Sequence, residues 1–280
     1  IAAMLPFVFA YIGLANTAPK GVVPQTVIVS FYVGAAILVI TSALTIFKVK
    51  EYDPETYARY HGIDARANHE KVSWIDLLKQ APKAFWTVAL VQFCCWFAFQ
   101  YMWTYSAGAI AENVWQTTDA SSSGYQAAGN WYGVLAAVQS IAAVVCSYVL
   151  AKVPNQYHKA GYFTSLALGA LGFFSIFFVT DQYVLVGSYI LIGIAWAGIL
   201  TYPLTIVTNA LSGKHMGTYL GLFNGSICIP QIIASLLSFG LYPLLGGQQA
   251  NMFLAGGIAL LLGACSVFFI KETHRETPSA

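Results

Sequence analysis

The chain has 280 residues, 58% of them hydrophobic and only 9% charged, with a net charge of +2 and a mean hydropathy of +0.66. A soluble domain carries about 25% charged residues, so this composition cannot dress a water-facing surface and excludes a soluble enzyme or a nucleic-acid-binding domain. It specifies an all-α polytopic membrane protein. The five cysteines, Cys94, Cys95, Cys146, Cys228 and Cys265, all fall in apolar runs and read as small packing residues, since their spacing suits neither zinc nor a disulfide framework.

A hydrocarbon core of about 30 Å is crossed by about 20 apolar helical residues. Eight runs of roughly that length are predicted to span, over 1–17, 24–47, 85–108, 130–151, 160–179, 183–208, 217–241 and 250–270. They are too long and too uniformly apolar for barrel strands. The first begins at Ile1 with no basic n-region and no small-residue cleavage site, so it is not a signal peptide. It reads as the cut edge of something larger.

The 48–84 connection is the one long polar segment. Its "EYDPETYARYHGIDARANHEK" is charged, mixed in sign and poor in aliphatics, and reads as a solvated linker. "SWIDLLKQAPKAF" follows as an interfacial amphipathic helix, with Ser73 and Asp76 as a capping pair and Trp74, Leu77 and Leu78 on one face. Twelve of the thirteen basic residues fall on the side of this loop, and Lys20 alone on the other. By the positive-inside rule both ends and the loop are cytoplasmic. The charged break divides the spans two before and six after.

Polar residues inside spans are costly, and face a cavity or a neighbouring helix. On the third span Gln92, Trp96, Gln100 and Trp103 follow i, i+4, i+8, i+11, one face of a helix, flanked by Tyr101 and Thr104. Indoles stack on the C–H faces of pyranose rings, and a glutamine amide both donates and accepts. This face therefore suits a sugar site. The competing reading is interhelical hydrogen bonding by the amides with the indoles as core or interface anchors. Asn130 and Gln139 on the fourth span, Trp196 on the sixth, and Asn224 and Gln231 on the seventh supply compatible groups.

Pro203 and Pro230 free backbone carbonyls and bend helices. Gly217, Gly221 and Gly225 form a small-xxx-small ladder, with a shorter one at Gly129 and Gly133, a pattern read as close helix packing. Glu112, just past the third span, is read as an interfacial residue in water. No span holds a clear intramembrane carboxylate, and no Walker loop, metal-spaced cluster or nucleophile elbow is present. No catalytic residue, metal or cofactor is expected.

The two-plus-six arrangement about a charged loop resembles the later part of a twelve-helix major facilitator superfamily transporter. "LPFVFAYIGLAN", "VPQTVIVSFYVGA", "KEYDPE", "GNWYG" and "GLFNGSICIPQ" resemble its sucrose/maltose-type symporter branch. On that resemblance, residues 1–47 are helices five and six of a truncated N-terminal half. Residues 48–84 are the central cytoplasmic loop, and 85–280 are the complete C-terminal six-helix half with a short tail. The "KVPNQYHK" loop lacks the acid that the superfamily's gating motif carries there.

The resemblance implies proton-coupled uptake of a disaccharide by alternating access, in the plasma (inner) membrane of a bacterium. The implied partners are a sugar, protons as coupling ion and the lipid bilayer, with the missing N-terminal helices of the same protein holding the coupling acid. A sodium-coupled glycoside symporter and a sugar sensor that does not transport are the alternatives. The implied substrate residues are Gln92, Trp96, Gln100, Trp103, Asn130, Gln139, Trp196, Asn224 and Gln231.

Overall fold

The computed structural model describes residues 5–16, 18–19, 22–50, 52–61, 73–211 and 215–270. Lys20, Lys214, most of the predicted linker and the 271–280 tail lie outside the described residues. Every regular element among those described is helical: α1 (Leu5–Tyr11), α2 (Gln25–Lys48), α3 (Pro54–His61), α4 (Trp74–Gln80), α5 (Lys83–Val114), α6 (Ser123–Leu150), α7 (His158–Phe178), α8 (Leu185–Ala210), α9 (Met216–Phe223), α10 (Gly225–Leu244) and α11 (Gln249–Ser266). Seven stretches are long and apolar enough to cross a membrane, with α9 and α10 making one of them.

The first predicted span is the exception. Within its described residues, 5–16, the helix is the seven-residue α1, which stops where Gly13 takes a positive φ of 100°. Gly13 N–H bonds to Ala10 O at 3.0 Å and Leu14 N–H to Phe9 O at 3.0 Å, the paired closure that glycine makes possible at a helix C-terminus. The Thr26 hydroxyl then donates to Asn16 Oδ1 at 2.8 Å, tying the turn to the start of α2. Apart from Thr26, α2 buries nothing.

The segment read as a solvated linker holds a short helix, α3: Asp53 Oδ2 accepts from the Thr56 N–H at 3.2 Å, and Pro54 occupies the first helical position, where its missing N–H costs nothing. Hydrogen bonds from the Thr56 side chain and backbone hold the Asp53 carboxyl below the usual carboxylate range. In α4, Ser73 does sit at the N-cap, but its side chain makes no capping bond. The Asp76 and Leu77 N–H groups bond to the Ser73 carbonyl instead. Leu77 is buried while Trp74 is exposed, so α4 lies on the bundle along one edge only.

α5 is the central post. It packs against α6, α8, α10 and α11, while α7 packs between α8 and α11. The close crossings fall at other glycines than the predicted ladder. A Cβ on Gly217 or Gly221 would meet nothing within 4 Å, and on Gly225 only the Ile229 tip at 3.7 Å. By contrast, one on Gly172 would stand 2.7 Å from Ser188 O, and one on Gly193 2.8 Å from the Ala142 methyl. The α7–α8 and α6–α8 contacts are thus among those where only a hydrogen fits, as in small-residue membrane crossings. The expectation of close packing along 217–225 is corrected, because α9 turns that stripe away from its neighbours.

Candidate functional site

Three of the predicted indoles meet between α5 and α8. Trp196 packs edge-on to Trp96 with centroids 5.4 Å apart and to Trp103 at 5.7 Å, while Trp96 and Trp103 are 6.0 Å apart. Phe99 closes the group at 5.0 Å from Trp196. T-shaped contacts at these spacings set the positive edge of one ring on the negative face of the next. Helical spacing brings Trp96 and Trp103 together on α5, and Trp196 faces them from α8.

The amides part company. At about 100° per residue, Gln100 lies about 80° around α5 from Gln92. Gln92 is 2% exposed and Trp96 9% exposed, and Gln92 Oε1 and Trp96 Nε1 have no hydrogen-bond partner among the described residues. Trp103 is 40% exposed and Gln100 half-buried. Gln100 Nε2 donates to Ser235 Oγ at 3.1 Å, and the Ser235 hydroxyl donates on to Gln231 O at 2.8 Å. One predicted face is therefore two surfaces: an inner acceptor and donor one turn apart, and an outer amide and indole that stay accessible.

The remaining candidates are spread along the bundle. Gln139 is buried where α6 crosses Gly193 of α8, with its backbone carbonyl at the contact. Asn130 is half-buried about 13 Å further along α6 at 1.5 Å per residue. Gln231 is half-buried and Asn224 exposed, and neither side chain bonds to the α5 amides. Asn224 marks the break between α9 and α10. Ile227 N–H turns back to Asn224 O at 3.0 Å and the Ser226 hydroxyl donates to Phe223 O at 2.6 Å. Pro230 supplies the cause, since it gives no N–H to the Ser226 carbonyl and crowds it.

Several positions escaped the sequence reading. Ser235, the partner of Gln100, lies four residues after Gln231 on the same α10 face, a spacing that could have found it. Glu112 is not a free interfacial acid. Its Oε2 accepts from Gln249 N–H at 2.8 Å and Ala250 N–H at 3.3 Å, capping α11. Next to it Asn113 Nδ2 donates to Ile176 O at 2.9 Å, closing the C-terminal end of α7. In the 151–159 loop, His158 Nε2 contacts Val153 O at 3.1 Å and so braces the turn locally.

The all-helical bundle with its seven long apolar stretches fits one superfamily. The description of the Major Facilitator Superfamily matches residues 4–235 and again 103–280. The chain belongs to the Major Facilitator Superfamily. No curated protein matches it. As a major facilitator chain it is a membrane transporter of that type, one that sits in a lipid bilayer and binds a small-molecule substrate. Superfamily members are transporters rather than enzymes.

Proposed function

We propose that the chain is part of a proton-coupled carrier for a neutral disaccharide of the sucrose or maltose class. The supporting observation is that an unsatisfied acceptor, Gln92 Oε1, and an unsatisfied donor, Trp96 Nε1, lie one helical turn apart on α5, Trp96 being one of three clustered indoles. A buried polar atom without a partner costs about 1–3 kcal/mol, and a ligand that both donates and accepts recovers that cost on binding. A sugar hydroxyl is such a group. The Trp103 face takes the apolar side of the ring, and Gln100 reaches its rim. A charged substrate would find no counter-ion among these residues.

In this reading residues 1–47 belong to one half of the carrier, 48–84 connect, and 85–280 form the other half. Alternating access moves the two halves about the shared site. Proton coupling rests on the resemblance of the "FNGSICIPQ" and "VPQTVIVSFYVGA" segments and on no carboxylate of this chain. The full-length protein reconstituted into vesicles should accumulate sucrose or maltose under an inward pH gradient. Uptake indifferent to both gradient and protonophore would refute the coupling. Trp103→Ala should weaken sugar binding by about 10-fold, read by equilibrium dialysis of labelled sugar. Unchanged affinity in Trp103→Ala and Gln100→Ala would refute the site.

A further inference from the structure

Trp96 is 9% exposed, and two indoles lie on it: Trp103 of its own helix at 6.0 Å and Trp196 of α8 at 5.4 Å. Trp196 also stands edge-on to Trp103 at 5.7 Å and tilted on Phe99 at 5.0 Å. One ring from α8 therefore bridges the indole that is accessible and the indole that is covered. A sugar stacked on Trp103 cannot pass a hydroxyl to Trp96 Nε1 while the cluster keeps this arrangement, because that nitrogen is buried and has no partner among the described residues.

The helix that carries Trp196 has little freedom to shift. Three residues before it, a Cβ on Gly193 would stand 2.8 Å from the Ala142 methyl of α6, and two residues after it, one on Gly198 would overlap the Ser165 side chain of α7. The Tyr189 hydroxyl fixes the same helix to α5 through Ser106 Oγ at 2.9 Å. The ring is freer than its backbone. Trp196 is half-buried, and Leu200, one turn further along α8, is 53% exposed, so open space adjoins the indole on that side. A helical backbone leaves a long side chain two common χ1 wells, near 180° and −60°. A turn from one to the other moves the indole relative to Trp96 without displacing α8.

We propose that Trp196 is a lid on the substrate site: its ring covers Trp96 in this structure and turns away when a sugar binds, opening the Trp96 N–H to a sugar hydroxyl. The inference rests on the sugar-site reading above and changes the part Trp196 plays in it, from a wall the sugar stacks on to a ring that competes with the sugar for Trp96. The covered state is held by the edge contacts of Trp196 with Trp96 and Trp103. The open state gains the hydrogen bond to Nε1. A ligand moves such an equilibrium only through contacts it makes in one state and not the other, and the Trp96 N–H is that contact.

Two measurements on the full-length protein test the lid, one without sugar and one with it. In protein labelled with 5-fluorotryptophan, the fluorine resonance of Trp96 is assigned by its loss in Trp96→Phe. A soluble gadolinium chelate should leave that resonance narrow in the unmodified protein and broaden it in Trp196→Ala. Equilibrium dialysis of labelled sucrose and maltose should then show Trp196→Ala binding about 10-fold tighter, since a site that must first be uncovered binds more weakly by the fraction of time it is open. Trp196→Phe keeps the core filled and should show both changes in smaller measure, so the test stands if the alanine variant does not fold. A Trp96 resonance equally broadened with and without the Trp196 indole would overturn the lid. So would weaker sugar binding in both variants, which would make Trp196 a stacking wall. Binding of neither sugar by any form, with Trp96 still uncovered in Trp196→Ala, would refute the sugar reading and leave the lid in place.

Discussion

Replacing Glu112 separates a structural acid from a titrating one. Its carboxylate satisfies two of the four N–H groups that the first turn of α11 leaves unpaired and places negative charge at the positive end of the helix dipole. A hydrogen bond to a charged group contributes about 1.5–3 kcal/mol, against about 0.5–1.5 for a neutral one. The bond to Gln249 N–H at 2.8 Å is well formed, and the one to Ala250 N–H at 3.3 Å is long and counts for about half. Glu112→Gln keeps an acceptor and loses the charge, which removes about 2 kcal/mol with the dipole contribution included. Glu112→Ala strands both amides at a half-buried site and costs about 3–4 kcal/mol. At about 2 °C per kcal/mol for a chain of this size, Tm should fall by about 4 °C and about 7 °C. Intrinsic-fluorescence melts of the purified full-length protein in detergent measure both. A Glu112→Gln protein melting with the unmodified one, or an alanine variant no worse than the glutamine, refutes the cap. Uptake lost at unchanged Tm would make Glu112 a titrating group instead.

Glycine substitutions distinguish the crossings that are tight from the one that is not. Gly193→Ala drives a methyl against α6 and should destabilise by about 1–3 kcal/mol, whereas Gly221→Ala meets nothing and should be neutral or up to about 1 kcal/mol stabilising through helix propensity; the same melts compare them. Tyr189→Phe removes the buried bond from the Tyr189 hydroxyl to Ser106 Oγ at 2.9 Å and should cost about 1 kcal/mol without altering substrate affinity. Pro230→Ala restores an N–H opposite Ser226 O. Hydrogen exchange at residue 230 should then be slow, and an exchange rate there matching an exposed amide would show that the break has another cause.

Length and hydropathy were enough to locate seven membrane helices, because a 30 Å apolar slab leaves few other uses for 20 apolar residues in a row. Ends were harder. α6 begins at Ser123 and not near 130, since "SGYQAAGN" is polar enough to lower the average while its backbone is still helical, started by the bond from Tyr125 N–H to Ser122 Oγ at 3.1 Å. The Gly13 stop was hidden by the apolar Leu14 and Ala15 beyond it. Periodicity placed Trp96 and Trp103 on one face, and it could not tell that Trp196 would cover Trp96. The glycine ladder failed for a related reason. Spacing shows that Gly217, Gly221 and Gly225 align, and only the path of the chain decides whether another helix lies opposite.

The connections of α5 indicate which helices can move independently. At one end Glu112 and Asn113 take hold of α11 and α7 through backbone groups at their tips, and six residues in from Glu112 the buried Tyr189–Ser106 bond holds α8. These four helices are cross-tied toward that end of the bundle. To α10 the described side chains of α5 offer one hydrogen bond, Gln100 to Ser235, beside the stack of Tyr105 on Tyr242 at 5.7 Å and the packing of Tyr101 with Ala234, while Leu236, Leu237 and Phe239 of α10 are exposed. α10 is also the helix with a break at its start and prolines at 230 and 243. A change of shape that keeps the tied helices together would then act at the Asn224 break and on the Gln100–Ser235 bond, the hydrogen bond between described side chains of α5 and α10. If substrate sits at Gln100 as proposed, its binding and the position of α10 meet at that amide, so Ser235→Ala should alter the transport rate more than it alters sugar affinity, and equal effects on the two would refute that coupling.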